Sequence, residues 1–177
     1  MKMERTSKFT AKDCAYIAVF VSLVISAQLA LSAIPGIEVV TVLFITYAFT
    51  FGVMKGTLSA TVFSLVRQLI FGVDLKVLAL YLLYYNLLTA VFGVLGGKIK
   101  EPKEKMPWLI LIACVCTVCF TLIDNLLTPL WYGYTKKMAW LYFKYSLPVV
   151  VPQTLCTGLT TGVLFLPLRK AFLTIAR

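Results

Sequence analysis

The chain has 177 residues, of which 60% are hydrophobic, and its mean hydropathy is +0.92. A water-soluble domain of this length does not need so much apolar surface, and about six membrane helices would leave no room for a soluble catalytic module. The net charge of +10 lies in clusters next to the apolar runs, which indicates topology-setting residues and contact with the lipid bilayer rather than binding of nucleic acid.

The apolar runs predict an all-α integral membrane bundle of about six transmembrane helices, in a single domain over residues 1–177. The first run has no small-residue cleavage site ahead of a soluble domain, so we interpret it as a retained span rather than a signal peptide. In chain order, the spans are expected at Phe9–Ala33, Ile37–Phe51, a third ending near Phe71, Val77–Leu95, Trp108–Leu127 and Leu147–Leu168.

Basic residues orient these spans. Residues 98–105 form a basic loop, which Gly96 and Gly97 are expected to open, and residues 52–56 form a second short turn on the same side. Five of the 17 Lys and Arg residues fall in or beyond the opposite half: Arg67, Lys76, Lys136, Lys137 and Lys144. The positive-inside rule therefore predicts that both termini are cytoplasmic, and this would hold even if spans two and three were a re-entrant hairpin.

Polar residues within the spans are expected to lie at one depth, toward the outside, because such groups usually face a protein interior or a wet cavity. We interpret them as a pocket for a polar solute, whereas any one of the amides alone is better explained by an interhelical hydrogen bond. The candidate pocket residues are Gln28, Glu38, Arg67, Gln68, Asn86, Asp124, Asn125 and Gln153. For the charged residues of this set, the alternative is a structural ion pair of Arg67 with Asp124 or with Glu38.

Aromatic residues extend this candidate site. Tyr84 and Tyr85, with Tyr81 one turn earlier, place rings beside Asn86, although packing in the core or at the lipid interface is the default explanation for each. Trp131 belongs to an aromatic segment at 129–145, which is either an interfacial belt or a rim that stacks on a flat ligand.

Small residues recur at four-residue spacing along the first span. Ala18, Ser22, Ser26 and Ala30 share one face, and Ala11 and Ala15 extend small residues toward the cytoplasmic end. Such a stripe lets a second helix approach closely. It serves either internal packing or the docking of a partner subunit.

The chain lacks the residues that several kinds of enzyme and metal site usually need. The chain has no histidine, which removes the commonest general base and metal ligand, and it has no phosphate-binding G-x-x-x-x-G-K-[ST] motif. The five cysteines lie in or next to apolar runs, without the spacing of a metal site. We therefore expect no enzymatic activity, no catalytic residues, no metal and no cofactor.

In size and topology the chain resembles the substrate-binding S components of energy-coupling factor (ECF) transporters. Locally the resemblance rests on the small-residue first helix, the turn at 33–38, Phe51-Gly52-x-x-x-Gly56 and Phe71-Gly72. It implies a multi-pass subunit of a bacterial plasma membrane that captures a vitamin or micronutrient and then docks on a membrane coupling subunit driven by two ATPase subunits, toppling to release the solute.

The resemblance also implies roles for particular residues. The family's Ala-x-x-x-Ala docking motif maps onto Ala11 and Ala15, whereas Ala18 and Ser22 depart from it by one serine. The loop 32–37 would be the gate over the pocket. A cobalamin, a queuosine precursor, a pyridoxine-like ring and a pantothenate-like acid all remain open as ligands, and Arg67 favours some anionic character.

Two other functional classes remain open for this chain. One is a small membrane enzyme, such as a lipid-modifying transferase that uses Asp124 and Arg67, and the other is a stand-alone carrier.

Overall fold

The computed structural model describes residues 10–33 and 39–175, and within these ranges the chain is entirely helical outside its turns. This confirms the predicted all-α bundle. The six helices are α1 (Ala11–Leu31), α2 (Val40–Phe51), α3 (Val53–Phe71), α4 (Leu75–Lys98), α5 (Met106–Trp131) and α6 (Lys136–Ile175).

Four of the described helices, α1, α4, α5 and α6, are long and apolar enough to cross a membrane. The α2 helix has only 12 residues, so it is about 18 Å long against a hydrocarbon core of about 30 Å. All its residues from Val40 to Phe49 are buried. It is therefore a short central helix, packed against α1, α3, α4 and α6.

Aromatic contacts fix α2 in the centre. The ring of Phe44 lies 5.1 Å from that of Phe63 on α3 and 4.9 Å from that of Tyr85 on α4, measured between centroids. Toward α1, Tyr47 stacks on Phe20 at 3.9 Å, and Phe20 also meets Phe44 edge-on at 5.4 Å. The α2 helix begins only one turn before Phe44. The part of the bundle that extends past the start of α2 is therefore formed by the other helices alone.

One end of α1 is tied to α3 by an ion pair. Thr10 and Asp13 form a capping box at the start of α1, and Lys55 Nζ lies 2.6 Å from Asp13 Oδ1. The box satisfies backbone N–H groups at the helix start, and the ion pair fixes the position of that start beside α3.

Three predicted boundaries were wrong. The expected turn at 52–56 is reduced to Gly52, whose φ of 86° lets the chain reverse at a single residue between α2 and α3. Gly96 and Gly97 lie within α4, which ends at Lys98. Most of the aromatic segment is helical, because α6 begins at Lys136 and continues through three prolines.

Candidate ligand-binding site

Aromatic and amide side chains converge on Tyr81, in the half of the bundle away from the basic loop. Gln28 Nε2 on α1 donates to the Tyr81 hydroxyl at 3.4 Å. The guanidinium carbon of Arg67 on α3 lies 4.6 Å from the centre of the Tyr81 ring and 4.7 Å from that of Phe71. Two predicted site residues from different helices therefore meet at one tyrosine, and the rings fix the Arg67 side chain by cation–π contact.

A small cavity of about 90 Å³ adjoins this tyrosine. It is lined by Tyr81, Tyr84, Tyr85, Thr117, Phe120 and Gln153. Three further predicted site residues line this cavity beside the cluster around Tyr81. They are Tyr84 and Tyr85 on α4 and Gln153 on α6. Pockets for drug-sized ligands are about 300–1,000 Å³, so a cofactor-sized molecule would have to displace some of this lining.

Two side chains at Tyr81 have buried polar atoms without a hydrogen-bond partner among the described residues. These atoms are Gln28 Oε1 and Arg67 Nε. A buried polar atom left unsatisfied costs about 1–3 kcal/mol, and the great majority of such atoms in proteins are bonded to protein or to water. The cluster therefore offers one acceptor and one cationic donor to a partner outside the described chain. We call Gln28, Arg67, Tyr81 and the cavity lining the Tyr81 site.

Asp124 belongs to a separate polar cluster. Its Oδ1 accepts from Lys76 Nζ at 2.8 Å and from Thr128 at 3.0 Å, and its Oδ2 accepts from the Tyr142 hydroxyl at 2.6 Å. The predicted Arg67–Asp124 pair is therefore wrong, because Lys76 in the first turn of α4 occupies the carboxylate. Glu38 lies outside the described residues, so its pairing with Arg67 stays a prediction.

Two predicted site residues make contacts at a helix start or between helices instead of lining the cavity. Gln68 accepts from the backbone N–H of Asp74 at 3.0 Å, next to the start of α4. Asn86 accepts from Thr61 at 3.2 Å and so joins α3 to α4.

Asn125 and Trp131 lie farther along α5. Asn125 donates to Ser146 at 2.8 Å and thereby joins α5 to α6. Trp131 ends α5 with its side chain 48% exposed, which suits a membrane interface.

Sequence reasoning missed residues whose spacing could have identified them. Thr117 and Phe120 lie seven and four residues before Asp124, so they share its face of α5. Lys76 was assigned to an outer turn and Tyr142 to the aromatic segment. Nothing in the sequence indicated that both contact the carboxylate of Asp124.

The small-residue face of α1 is directed away from the bundle. Ala11, Ala15, Ala18 and Ser22 are all exposed, whereas Ile17 and Phe20 lie on the buried face. Internal packing therefore does not explain the stripe. Beside it runs an apolar groove of about 310 Å³ between α1 and the end of α6, lined among others by Ala15, Val19 and Phe172.

No group of three His, Cys, Asp or Glu side chains that could hold a metal ion occurs in residues 10–33 and 39–175. Comparison of the chain with protein-family models, with curated proteins and with solved structures returned no match.

Proposed function

We propose that this chain is the substrate-capture subunit of an ECF-type transporter, which binds a vitamin-like solute at the Tyr81 site. Transport would depend on a separate membrane coupling subunit and two ATPase subunits, in the plasma membrane of a bacterium. One observation carries the proposal: Gln28 Oε1 and Arg67 Nε are buried beside the same aromatic ring and have no hydrogen-bond partner among residues 10–33 and 39–175.

The chemistry of the site favours a ring compound with an anionic group. Tyr81, Tyr84 and Phe120 supply aromatic faces, with Tyr84 and Phe120 4.7 Å apart between centroids. Such faces stack on a flat ring. The guanidinium of Arg67 matches a carboxylate or phosphate, and Gln28 and Gln153 suit hydroxyl or amide groups on the same ligand.

Binding would require the site to expand. The cavity of about 90 Å³ is closed by tyrosine and phenylalanine rings, whose rotation can enlarge it at small cost in bonded geometry. Most of the gate that the family resemblance assigns to residues 32–37 lies outside the described residues, so the gate stays a prediction.

The exposed face of α1 supports the second half of the proposal. Without a hydrophobic driving force inside the bilayer, membrane helices associate where small residues permit close backbone approach. Ala15, Ala18 and Ser22 provide such a surface, next to the apolar groove, and no described helix of this chain covers it. A transmembrane helix of the coupling subunit is the partner that fits.

Native mass spectrometry of the detergent-purified chain tests the proposal directly. We expect one small molecule of vitamin-like mass per chain, either co-purified or taken up from a vitamin panel. A chain that stays empty with every member of the panel would contradict substrate capture.

A further inference from the structure

A second, wider cavity of about 810 Å³ lies at the end of the bundle that carries the basic loop. The loop between α4 and α5 contributes residues 100–103 to one wall, and residues 166–174 of α6 form the other. Four cationic side chains and one carboxylate line it: Lys100, Lys103, Arg169, Lys170 and Glu101. The cavity is therefore strongly basic, with a net charge of +3 from these groups. We call it the basic pocket.

Arg169 is held in place by the protein. Its guanidinium carbon lies 5.8 Å from the centre of the Phe49 ring at the end of α2, and its Nε is buried without a hydrogen-bond partner among the described residues. An arginine fixed in this way presents a planar set of donors that match phosphate oxygens. Because buried donors in proteins are usually hydrogen-bonded, an acceptor outside the described residues would complete this arginine.

The walls around these cations are apolar. Leu166, Pro167 and Leu173 line the same cavity, and Leu173 keeps 41% of its surface exposed. The pocket is formed by the last turns of α6, a helix apolar enough to cross a membrane. Basic groups above an apolar wall at the end of a membrane helix suit a lipid, because the phosphate can meet the cations while the acyl chain lies along the leucines. A small soluble anion would gain nothing from those leucines.

We infer that the basic pocket binds the headgroup phosphate of an anionic phospholipid. This site is separate from the Tyr81 site, and it does not depend on what solute the chain captures. A bound lipid would link the α4–α5 loop to the end of α6 through its phosphate. The ligand is thus a structural lipid of the surrounding bilayer.

The purified full-length chain can be titrated with phosphatidylglycerol or phosphatidylcholine in detergent and followed by native mass spectrometry. The double variant Lys103→Gln/Arg169→Gln removes two charges from the pocket. Lys136→Gln/Lys137→Gln is the matched control, because it removes the same charge from two exposed lysines at the start of α6. A parallel titration with inorganic phosphate distinguishes a lipid from a soluble anion.

We expect wild type and the control to bind one phosphatidylglycerol in preference to phosphatidylcholine. The pocket variant should bind it about 25-fold more weakly, about fivefold for each charge lost. Equal weakening in the two double variants would show general charge attraction and would overturn the inference, as would unchanged binding in the pocket variant. Displacement of the lipid by millimolar phosphate would overturn the lipid as the ligand.

A folding defect must be separated from a loss of binding. Arg169→Lys keeps the charge and loses the planar fork, so we expect weakened lipid binding with the thermal unfolding temperature of the lipid-free protein unchanged. Full lipid affinity in this variant would exclude recognition of the phosphate by the arginine fork and would overturn the site as proposed.

Discussion

Asp124 and Lys76 form an ion pair with 2.8 Å between Oδ1 and Nζ, which joins the first turn of α4 to α5. Both side chains are largely withdrawn from solvent, with relative exposures of 22% and 12%, respectively. Tyr142 adds a hydrogen bond from the beginning of α6 to the same carboxylate at 2.6 Å. Three helices thus share one partly buried anion at the end of the bundle where the Tyr81 site lies.

Removing either member of this pair should destabilise the bundle, because the other charge is left without its partner. We expect Asp124→Asn and Lys76→Gln each to lower the free energy of unfolding by about 1–3 kcal/mol. The double variant should lose less than the sum of the two, because neither charge is then uncompensated. Urea unfolding in detergent measures these values, and strict additivity would contradict a direct interaction. Lys144→Gln, at an exposed position, is the control.

Adjacent glycines at the end of α4 should respond oppositely to alanine. A Cβ on Gly96 would collide with the backbone carbonyl oxygen of Phe49, whereas a Cβ on Gly97 meets nothing within 4 Å. Gly96→Ala must push α2 away from α4, so we expect a loss of more than about 2 kcal/mol. Gly97→Ala should gain up to about 1 kcal/mol from helix propensity. Thermal unfolding of the two variants compares them, and equal effects would refute the close approach of the helices.

The same glycines show where sequence reasoning stops. The apolar runs predicted the six described helices, because a segment that crosses a bilayer must satisfy its backbone polar groups within itself. Two consecutive glycines usually end a helix, yet here the close contact with Phe49 requires the small size of Gly96, and the helix continues to Lys98. The tertiary contact with Phe49 thus outweighed the local tendency of glycine to end a helix. Likewise, the three prolines of α6 did not stop that helix, since neighbouring groups in a membrane bundle can accommodate the freed carbonyls.

The sequence predicted which residues belong to the candidate site better than it predicted which of them contact each other. Gln28, Tyr84, Tyr85 and Gln153 could be selected because polar and aromatic groups within spans tend to face the bundle interior. Which cation meets Asp124 depends on the relative rotation and axial shift of α3, α4 and α5. Those quantities come from side-chain packing between helices, and no single-helix pattern encodes them.

Arg67 should determine affinity for the captured solute rather than stability. We expect Arg67→Ala to weaken binding of the co-purified ligand by about 10- to 100-fold, the contribution of one or two charge-assisted hydrogen bonds. Arg67→Lys should recover only part of this, because it cannot offer a planar pair of donors between the Phe71 and Tyr81 rings. Calorimetric titration gives the dissociation constants, with Lys144→Ala as the charge-matched control. Unchanged affinity in Arg67→Ala would remove this residue from the site.

If the proposed docking is right, larger side chains on the small-residue face of α1 should be tolerated in the isolated chain but not in the proposed transporter complex. Ala18 is exposed, so Ala18→Leu should leave the unfolding temperature and ligand affinity unchanged. It should reduce co-purification of the coupling subunit and the two ATPases by at least about tenfold, since close helix approach is blocked. Cys119→Leu on the exposed surface of α5 is the control. Equal recovery with both variants would place the docking surface elsewhere.

The orientation of the chain can be tested at two exposed lysines on opposite ends of the bundle. Lys103 lies in the α4–α5 loop and Lys137 in the first turn of α6. In a cysteine-free background, Lys137→Cys should react with a membrane-impermeant maleimide on intact cells, and Lys103→Cys only after permeabilisation. This follows from the positive-inside rule, because the short basic loop is retained in the cytoplasm. The cytoplasmic leaflet also carries anionic lipids, so this orientation brings the basic pocket to the ligand inferred for it. The reverse labelling pattern would place the Tyr81 site on the cytoplasmic side and would contradict capture from outside.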